Sequence, residues 1–181
     1  MDTFLPPIEK PGSFGMKLAY YFSRKYFGKV LTPLKVHSAR LPAAFGMFYG
    51  KVSRLDKKLT LAGEMVLLLR VQVARLNVCL FCMDAARYAA VQASMNAAKF
   101  DSLDEYETCD AYSDAERAAL DYATELTKNR AVSTITFERL SKHFSERQIC
   151  EIVWLVASEH LYNITNIGLN IHSDMLCEIR R

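Results

Sequence analysis

The stretch Val66-Leu-Leu-Leu-Arg-Val-Gln-Val-Ala-Arg-Leu-Asn77, followed after one valine by Cys79-Leu-Phe-Cys82, carries most of the information about the fold of this chain. Its apolar run predicts a helix that protein encloses on most sides. Asn77 is a residue type that caps helix N-termini, so it predicts a second helix whose first turn and a half holds both cysteines. Helix N-terminal N–H groups stabilise a thiolate, and two thiols three positions apart can join with little backbone movement. The pattern therefore indicates a redox-active thiol pair.

The cysteine pair has two other interpretations. It could be half of a zinc site, but zinc takes four ligands, and the chain has neither a second Cys-x-x-Cys nor two closely spaced histidines. Both thiols could also be inert core residues, because free cysteine is among the most buried residue types. We therefore predict no metal, and the core interpretation stays open beside the redox one.

Composition favours a single-core intracellular protein. With 181 residues, 51% of them hydrophobic, the chain can bury one substantial core, as one domain or two fused halves. Seven glycines and five prolines are few for an all-β protein of this size. Three of the five cysteines are isolated and the N-terminus has no secretory pattern, so we predict a cytoplasmic protein. Charged residues interrupt both long apolar segments, which predicts that no helix spans a membrane.

Positive charge is concentrated in the first third of the chain. Residues 1–58 hold eleven Lys or Arg against three acidic residues, a balance of +8, which leaves −5 for the rest. The basic, aromatic segment 17–29 has the composition of helices that lie on anionic membranes or touch nucleic acid. Such spacing more often forms an amphipathic helix packed on its own domain or on a partner subunit. We predict a helical extension over residues 1–35, a domain over residues 36–181, and no nucleic-acid partner.

Helical patterns cover nearly the whole chain, and no segment has the alternation of a convincing strand. In the second half, capping boxes begin at Ser102, Ser113 and Ser145, and each predicts a helix start. The fold class that these patterns predict is all-α. The predicted helices are 13–29, 42–55, 60–76 with Thr60 as N-cap, 77 to about 95, a short one after Ser102, Ser113 to about 129, 136–143 and 145–169.

The last predicted helix carries two polar residues on its apolar face. Counting by threes and fours, this face consists of Ile149, Ile152, Val153, Val156, His160, Asn163, Ile164 and Ile167. His160 and Asn163 could satisfy polar groups where helices cross. Alternatively, the face brings the imidazole to the thiols, where a base would activate one of them as a nucleophile. The sequence leaves both possibilities open.

Together these segments resemble the carboxymuconolactone decarboxylase and alkylhydroperoxidase D-like family over about residues 40–170. The matching residues are the helix 66–77 with Cys79-x-x-Cys82, the segment 112–126, and the segment 144–153 with Asn163-Ile-Thr-Asn166. The resemblance implies an all-helical, multi-helix bundle with the thiol pair at a helix N-terminus. It also implies a trimer or hexamer, with Cys82 as the attacking thiolate and Cys79 as the resolving thiol.

The chain departs from this family at two positions that matter for proton transfer. Peroxidase-competent members have a histidine four residues after the second cysteine and a glutamate twelve before the first, where this chain has Ala86 and Leu67. Neither side chain can move a proton. Asp84 and Arg87 follow the pair, as acidic and arginine residues do in some members, and each is more often an ordinary surface charge.

Two residues are candidates to replace the missing relay. His160 is the only histidine on the predicted inner face. Glu64 lies three residues before the expected glutamate, nearly one helical turn away. A glutamate early in a helix more often only complements the helix dipole.

The predicted function is thiol-disulfide redox chemistry on peroxide or disulfide substrates. Cys82 and Cys79 would carry the reaction, with an external dithiol as reductant and no cofactor. One alternative is a non-catalytic binding or redox-sensing module. Another is a thiol-independent, decarboxylase-like enzyme that uses Glu64 and His160 as acid and base.

Overall fold

The computed structural model describes residues 2–95 and 97–178, except for the side chains of residues 97, 98 and 178. Within these residues, every regular element is a helix. The predicted all-α class is confirmed. The α-helices are α1 (Phe14–Phe27), α2 (Pro42–Phe45), α3 (Ser53–Asp56), α4 (Gly63–Leu76), α5 (Leu80–Gln92), α6 (Ala97–Asp101), α7 (Asp114–Asn129), α8 (Thr134–Ser141) and α9 (Glu146–Ile167). Two π-helical segments, Leu34–Ser38 and Gly46–Val52, and two 3-10 turns, Leu103–Glu105 and Leu176–Glu178, complete the elements.

Serine N-caps determine where several helices begin. Ser113 and Ser145 form the predicted capping boxes with Glu116 and Gln148, in which serine hydroxyl and glutamate or glutamine side chain each accept a backbone N–H. These two predictions are confirmed. The helix α8 begins two residues earlier than predicted, because Ser133 caps it.

Two predicted N-caps are wrong, because their side chains have other partners. The Ser102 hydroxyl donates to the Lys99 carbonyl at 3.1 Å, and only a 3-10 turn follows it. Thr60 donates its backbone N–H to the Glu151 carboxylate at 2.8 Å, and its hydroxyl lies 3.1 Å from the same carboxylate. The helix α4 consequently begins three residues after Thr60.

The helix α4 lies at the centre of the bundle, as its apolar run predicts. It packs against α5, α7 and α9, and Leu68, Leu69 and Val73 are completely buried. Its faces contribute to three apolar clusters. One is shared with α7, α8 and α9, one with α5, α6 and α7, and one with α1, the segment Leu34–Ser38 and the cysteine pair.

The inner face of α9 differs from the predicted one. Val153, Ile164 and Ile167 are exposed, by 38%, 65% and 43%. The buried face consists of Glu151, Ile152, Leu155, Val156, Ser158, Glu159, Asn163 and Asn166. Its polar members have hydrogen-bond partners on other parts of the chain or on α9 itself, and such partners cannot be read from hydrophobic periodicity.

The first helix begins and ends close to its predicted bounds. Ser13 caps α1, and Gly28 ends it with a φ of 73°, in the left-handed region that glycine adopts without strain. The division into an extension of residues 1–35 and a domain of residues 36–181 stays a prediction. Residue 1 and residues 179–181, which those ranges include, lie outside the described residues.

Across the described part of the chain, none of the helices combines the length and the apolar character that crossing a bilayer requires.

Candidate active site at the Cys79–Cys82 turn

The cysteine pair follows a tight turn between α4 and α5. Asn77 ends α4 as its C-cap, so its predicted role as the N-cap of the next helix is wrong. The N–H of Val78 donates to the Arg75 carbonyl at 3.0 Å, and the N–H of Cys79 donates to the Ala74 carbonyl at 2.8 Å. This is the bond pattern of a Schellman motif, whose left-handed position usually holds glycine. Here that position holds Val78, with a φ of 58°.

Cys79 itself is the N-cap of α5. Its Sγ accepts the backbone N–H of Cys82 at 3.4 Å. The two sulfur atoms lie at disulfide-bonding distance, with the Cα atoms 5.3 Å apart. The predicted placement of the pair at a helix N-terminus is therefore confirmed, and N–H groups there favour the thiolate form of a cysteine.

A buried amide from α9 also reaches the pair. Asn166 donates from Nδ2 to the Sγ of Cys82 at 3.4 Å, and only 6% of Asn166 is exposed. A hydrogen-bond donor favours the charged form of a thiol, so Asn166 can stabilise a Cys82 thiolate. The sequence analysis did not assign this residue to the site. Its available signal was its spacing of three residues from Asn163, which puts both amides on one helix face.

His160 lies beside the turn, between two side chains. Its Nδ1 is 3.0 Å from Nδ2 of Asn77, and its Nε2 is 3.0 Å from a guanidinium nitrogen of Arg130. Nδ2 of the same Asn77 lies 2.9 Å from Oδ1 of Asn163. Burial, and then the Arg130 charge, lower the pKa of His160 below its ordinary 6.5. The imidazole is therefore uncharged at neutral pH, and it is linked to the turn through Asn77.

A buried acid, Glu159, comes directly before His160. Its carboxyl group lies 2.7 Å from Nδ2 of Asn163 and 2.8 Å from Arg70, and Arg70 also pairs with Asp56 at 2.7 Å. Burial raises the pKa of Glu159 above its ordinary 4.5, although the Arg70 charge opposes this. The sequence analysis missed Glu159 because the residues next to it in the sequence do not show that Arg70, on another helix, lies close enough to form an ion pair with it.

Glu64 lies away from the pair, in the first turn of α4. Its carboxylate pairs with Lys99 at 2.7 Å, and Lys99 also pairs with Glu116 at 2.6 Å. Asn77 is thirteen residues later, which is about 20 Å along the helix axis. The structure therefore brings the cysteine pair and His160 to one end of α4 and places Glu64 at the other.

Within residues 2–95 and 97–178, no group of three or more His, Cys, Asp or Glu side chains is placed so that it could hold an ion.

Comparisons with known proteins fit this architecture. No family model matches the chain. The uncharacterized protein YnjA of Escherichia coli is 27% identical over 183 residues, which cover 97% of this chain and 96% of that protein. The debrominase Bmp8, solved in complex with 2,3,4-tribromopyrrole, superposes with a TM-score of 0.79 at 20% identity, over 97% of this chain and 94% of Bmp8. An alkylhydroperoxidase AhpD core, an uncharacterized peroxidase-related protein from Ralstonia eutropha, superposes with a TM-score of 0.81 at 20% identity, over 96% of this chain and 94% of that one.

The chain has the alkylhydroperoxidase D-like fold.

In this alkylhydroperoxidase D-like bundle, the two expected relay positions are apolar. Leu67 and Ala86 both pack against the buried cluster that contains Leu68 and Ala90. Neither position offers a group that can take up or release a proton. Any proton transfer at the pair must therefore use other residues or water.

The two charged residues after the pair bind other parts of the bundle. The Asp84 carboxylate accepts the Ser173 hydroxyl at 2.8 Å and the Leu176 N–H at 3.0 Å. Arg87 pairs with Asp101 at 3.0 Å, and both side chains are half exposed. Asp84 therefore anchors the C-terminal tail to α5, while Arg87 is a surface charge.

The pair itself is buried beneath both ends of the chain. Cys79 is 1% and Cys82 7% exposed. They share an apolar cluster with residues of α1, of the segment after it and of the C-terminal tail, namely Met16, Tyr20, Val30, Leu31, Leu34, Val36, Ile171 and Leu176. Asp174 joins the two ends, because it accepts the N–H and the hydroxyl of Thr32 at 2.8 and 2.7 Å and pairs with Lys29 at 3.1 Å. A reagent reaches the sulfurs through the small exposed part of Cys82 or after this cover moves.

Proposed function

We propose that this protein is a thiol-disulfide oxidoreductase of the carboxymuconolactone decarboxylase-like family, which reduces peroxides through Cys82 and Cys79 and is recycled by an external dithiol. The observation that carries this proposal is the pair of sulfurs at disulfide-bonding distance at the start of α5, with the Asn166 amide 3.4 Å from Cys82. This arrangement favours a thiolate on Cys82 and lets Cys79 close on it. The fold shared with a peroxidase-related protein supports the same class of chemistry.

In the proposed reaction, the Cys82 thiolate attacks one peroxide oxygen. The O–O bond breaks, Cys82 becomes a sulfenic acid, and the departing alkoxide takes up a proton and leaves as an alcohol. The Cys79 thiol then attacks the Cys82 sulfur, so that a disulfide forms and the sulfenic hydroxyl leaves as water with the thiol proton. The peroxide has gained the two electrons that the sulfurs lost. The external dithiol returns them by thiol-disulfide exchange.

The proposed roles of the two relay candidates differ. His160 is a candidate base because its imidazole is uncharged, so one ring nitrogen keeps a lone pair that can take up a proton, and because the ring lies beside the turn that precedes Cys79. Glu64 takes no part in this reaction, because it lies at the other end of α4. For the same reason, the two residues share no site that would support the thiol-independent, decarboxylase-like alternative.

The proposed assembly is a homo-oligomer, a trimer or a hexamer, in the cytoplasm. Leu161, Ile164 and Ile167 form an exposed apolar strip on α9, which supports an interface between subunits. The location follows from the isolated cysteines of the sequence.

Bromopyrroles are a second candidate substrate class. The debrominase Bmp8 superposes on 97% of this chain with a TM-score of 0.79. The same thiols would supply two electrons for replacing a C–Br bond by a C–H bond, with release of bromide and a proton as the disulfide forms. The two substrate classes therefore require the same cysteines.

Turnover with dithiothreitol as reductant tests the proposal. The parent protein is compared with Cys79→Ser and Cys82→Ser, and with Cys150→Ser as a matched control, because Cys150 is exposed on α9. We expect Cys82→Ser to abolish oxidation by peroxide. We expect Cys79→Ser to accumulate a sulfenic acid that a trapping reagent detects, and Cys150→Ser to keep the parent rate.

The outcomes distinguish the candidate functions. Equal turnover in the parent and in Cys82→Ser would overturn the proposal. Debromination of 2,3,4-tribromopyrrole without peroxide reduction would select the second substrate class. A parent protein inactive on both, with unreactive thiols, would reject the redox function in favour of the binding or sensing module.

A further inference from the structure

A chain of side chains connects the buried Glu159 to His160 through two asparagines. Oε1 of Glu159 is 2.7 Å from Nδ2 of Asn163, and Oδ1 of Asn163 is 2.9 Å from Nδ2 of Asn77. That same Nδ2 is 3.0 Å from Nδ1 of His160. Arg130 closes the far end, 3.0 Å from Nε2 of His160. Asn163 is fully buried and Glu159 nearly so, so water does not compete at the acid's end.

If Glu159 is ionised, the hydrogen bonds along this row of side chains cannot all form, and the conflict falls at His160. A carboxylate only accepts hydrogen bonds, so Asn163 must turn its NH2 toward Glu159 and its oxygen toward Asn77. Asn77 then turns its NH2 toward Nδ1 of His160, while Arg130, which can only donate, faces Nε2. A neutral imidazole has one accepting nitrogen and an imidazolium has none. At least one donor would therefore face another N–H.

One proton on Glu159 removes the conflict. The protonated carboxyl donates to Asn163 once that amide rotates by 180°, which exchanges its oxygen and its NH2. Asn77 rotates in the same way, and its oxygen then accepts from both Asn163 and Nδ1–H of His160. Nε2 keeps its lone pair and accepts from Arg130. Every contact in the chain now joins a donor to an acceptor.

The charges around Glu159 also favour the neutral acid. Arg70 on α4 contacts Glu159 and is shared with Asp56 on α3, at 2.8 and 2.7 Å. One guanidinium between two carboxylates leaves a negative charge uncompensated, and a buried charge without compensation is costly. Tyr162 of α9 lies with its ring centre 5.7 Å from Arg70 and adds no charge in its neutral form. The raised pKa of Glu159 and the lowered pKa of His160 agree with this assignment.

We propose that Glu159 is a positioning residue, a neutral acid in the folded protein that holds His160 as an uncharged imidazole with its proton on Nδ1. This inference goes beyond the proposed redox function and does not depend on it. It ties His160 to the Asn77 side chain, two residues before Cys79. A single buried proton therefore orders the turn that carries the thiol pair.

Nitrogen-15 NMR of the histidine side chains tests this proposal, because it distinguishes the two tautomers and the imidazolium. His160→Gln identifies the His160 signals. At neutral pH we expect the Nδ1–H tautomer in the parent and in Glu159→Gln, because a glutamine NH2 donates to Asn163 as the protonated acid does. Glu138→Gln, an exposed glutamate on α8, is the matched control and should leave the signals unchanged.

The pH dependence of stability is a second measurement. Above pH 4.5, the ordinary pKa of glutamate, Glu159 loses its proton in the unfolded parent but keeps it in the folded parent, where its pKa is raised. The free energy of unfolding of the parent should therefore fall relative to Glu159→Gln as the pH rises toward neutral.

Two results would overturn the proposal. One is an Nε2–H tautomer or an imidazolium at His160 in the parent, and this result is decisive even if Glu159→Gln does not fold. The other is a free energy of unfolding of the parent that, relative to that of Glu159→Gln, stays constant or rises as the pH rises. Neither measurement uses peroxide turnover, so failure of the redox proposal would leave both outcomes intact.

Discussion

At the scale of single residues, Asn166 makes the most direct contact with the proposed nucleophile. Its amide reaches the Cys82 sulfur at 3.4 Å, whereas Leu67 and Ala86 stand at the two positions where the family resemblance implies a proton relay. An amide can stabilise a thiolate by donating a hydrogen bond, but it cannot accept the thiol proton. The chain therefore has a donor that can stabilise a Cys82 thiolate, although neither of those two positions holds a proton relay.

Replacing Asn166 by alanine should slow alkylation of Cys82 in the reduced protein at neutral pH. A hydrogen bond to a charged group contributes about 1.5–3 kcal/mol. Since about 1.4 kcal/mol corresponds to a tenfold change, we expect the rate with iodoacetamide to fall roughly tenfold or more, because less thiolate is present. Asn129→Ala, at an exposed position in the last turn of α7, is the control and should keep the parent rate. Equal rates in the parent and in Asn166→Ala would exclude the amide as a thiolate donor.

At the scale of elements, the turn from α4 to α5 places a β-branched residue where glycine is usual. Val78 has a φ of 58° and is 70% exposed, so packing does not explain its conformation. Its backbone bonds, and those of Cys79, impose it by closing the Schellman motif. Strain of this kind is concentrated at functional sites.

Replacing Val78 by glycine should stabilise the protein. The left-handed conformation costs a residue with a Cβ about 1–2 kcal/mol, and the greater freedom of glycine in the unfolded chain offsets part of this gain. We expect the free energy of unfolding in urea to rise by about 1 kcal/mol. The control is Val91→Gly, within α5 and also exposed, which should lower it because glycine is the poorer helix former. A loss of stability in Val78→Gly would show that the valine side chain contributes more than its conformation costs.

At the scale of the whole molecule, the two ends of the chain cover the thiol pair. The segment after α1 and the C-terminal tail meet at Asp174, whose side chain is 5% exposed and binds Thr32 and Lys29. Asp84 holds the same tail to α5. The cover over Cys82 is therefore held in place by contacts between segments that lie far apart in the sequence.

Replacing Asp174 by alanine should speed reduction of the Cys79–Cys82 disulfide by dithiothreitol. Removing a buried acceptor costs about 1–3 kcal/mol, so local opening of the cover, and reduction through it, should become roughly tenfold faster. Reduction is followed by quantifying free thiols over time. Asp114→Ala, which breaks a surface ion pair with Arg117, serves as the matched control. An unchanged reduction rate would show that the reductant enters without moving this cover.

The sequence by itself determined the features that depend on near neighbours along the chain. The all-α class, the bounds of α1, two of three capping boxes and the placement of the cysteine pair at a helix start follow from residues within one or two turns of each other. The resemblance added the bundle architecture. These features were predictable because helix periodicity, caps and thiol spacing act locally.

Only the tertiary structure decided which polar groups meet. Asn77 became a C-cap whose amide binds His160, and α9 turned Glu159 and Asn166 inward while exposing Val153, Ile164 and Ile167. The partners on other helices are far away in the sequence, since 83 positions separate Asn77 from His160, 89 separate Arg70 from Glu159 and 84 separate Cys82 from Asn166. A polar side chain is stable inside a protein when a partner satisfies it, and only the packed helices place that partner.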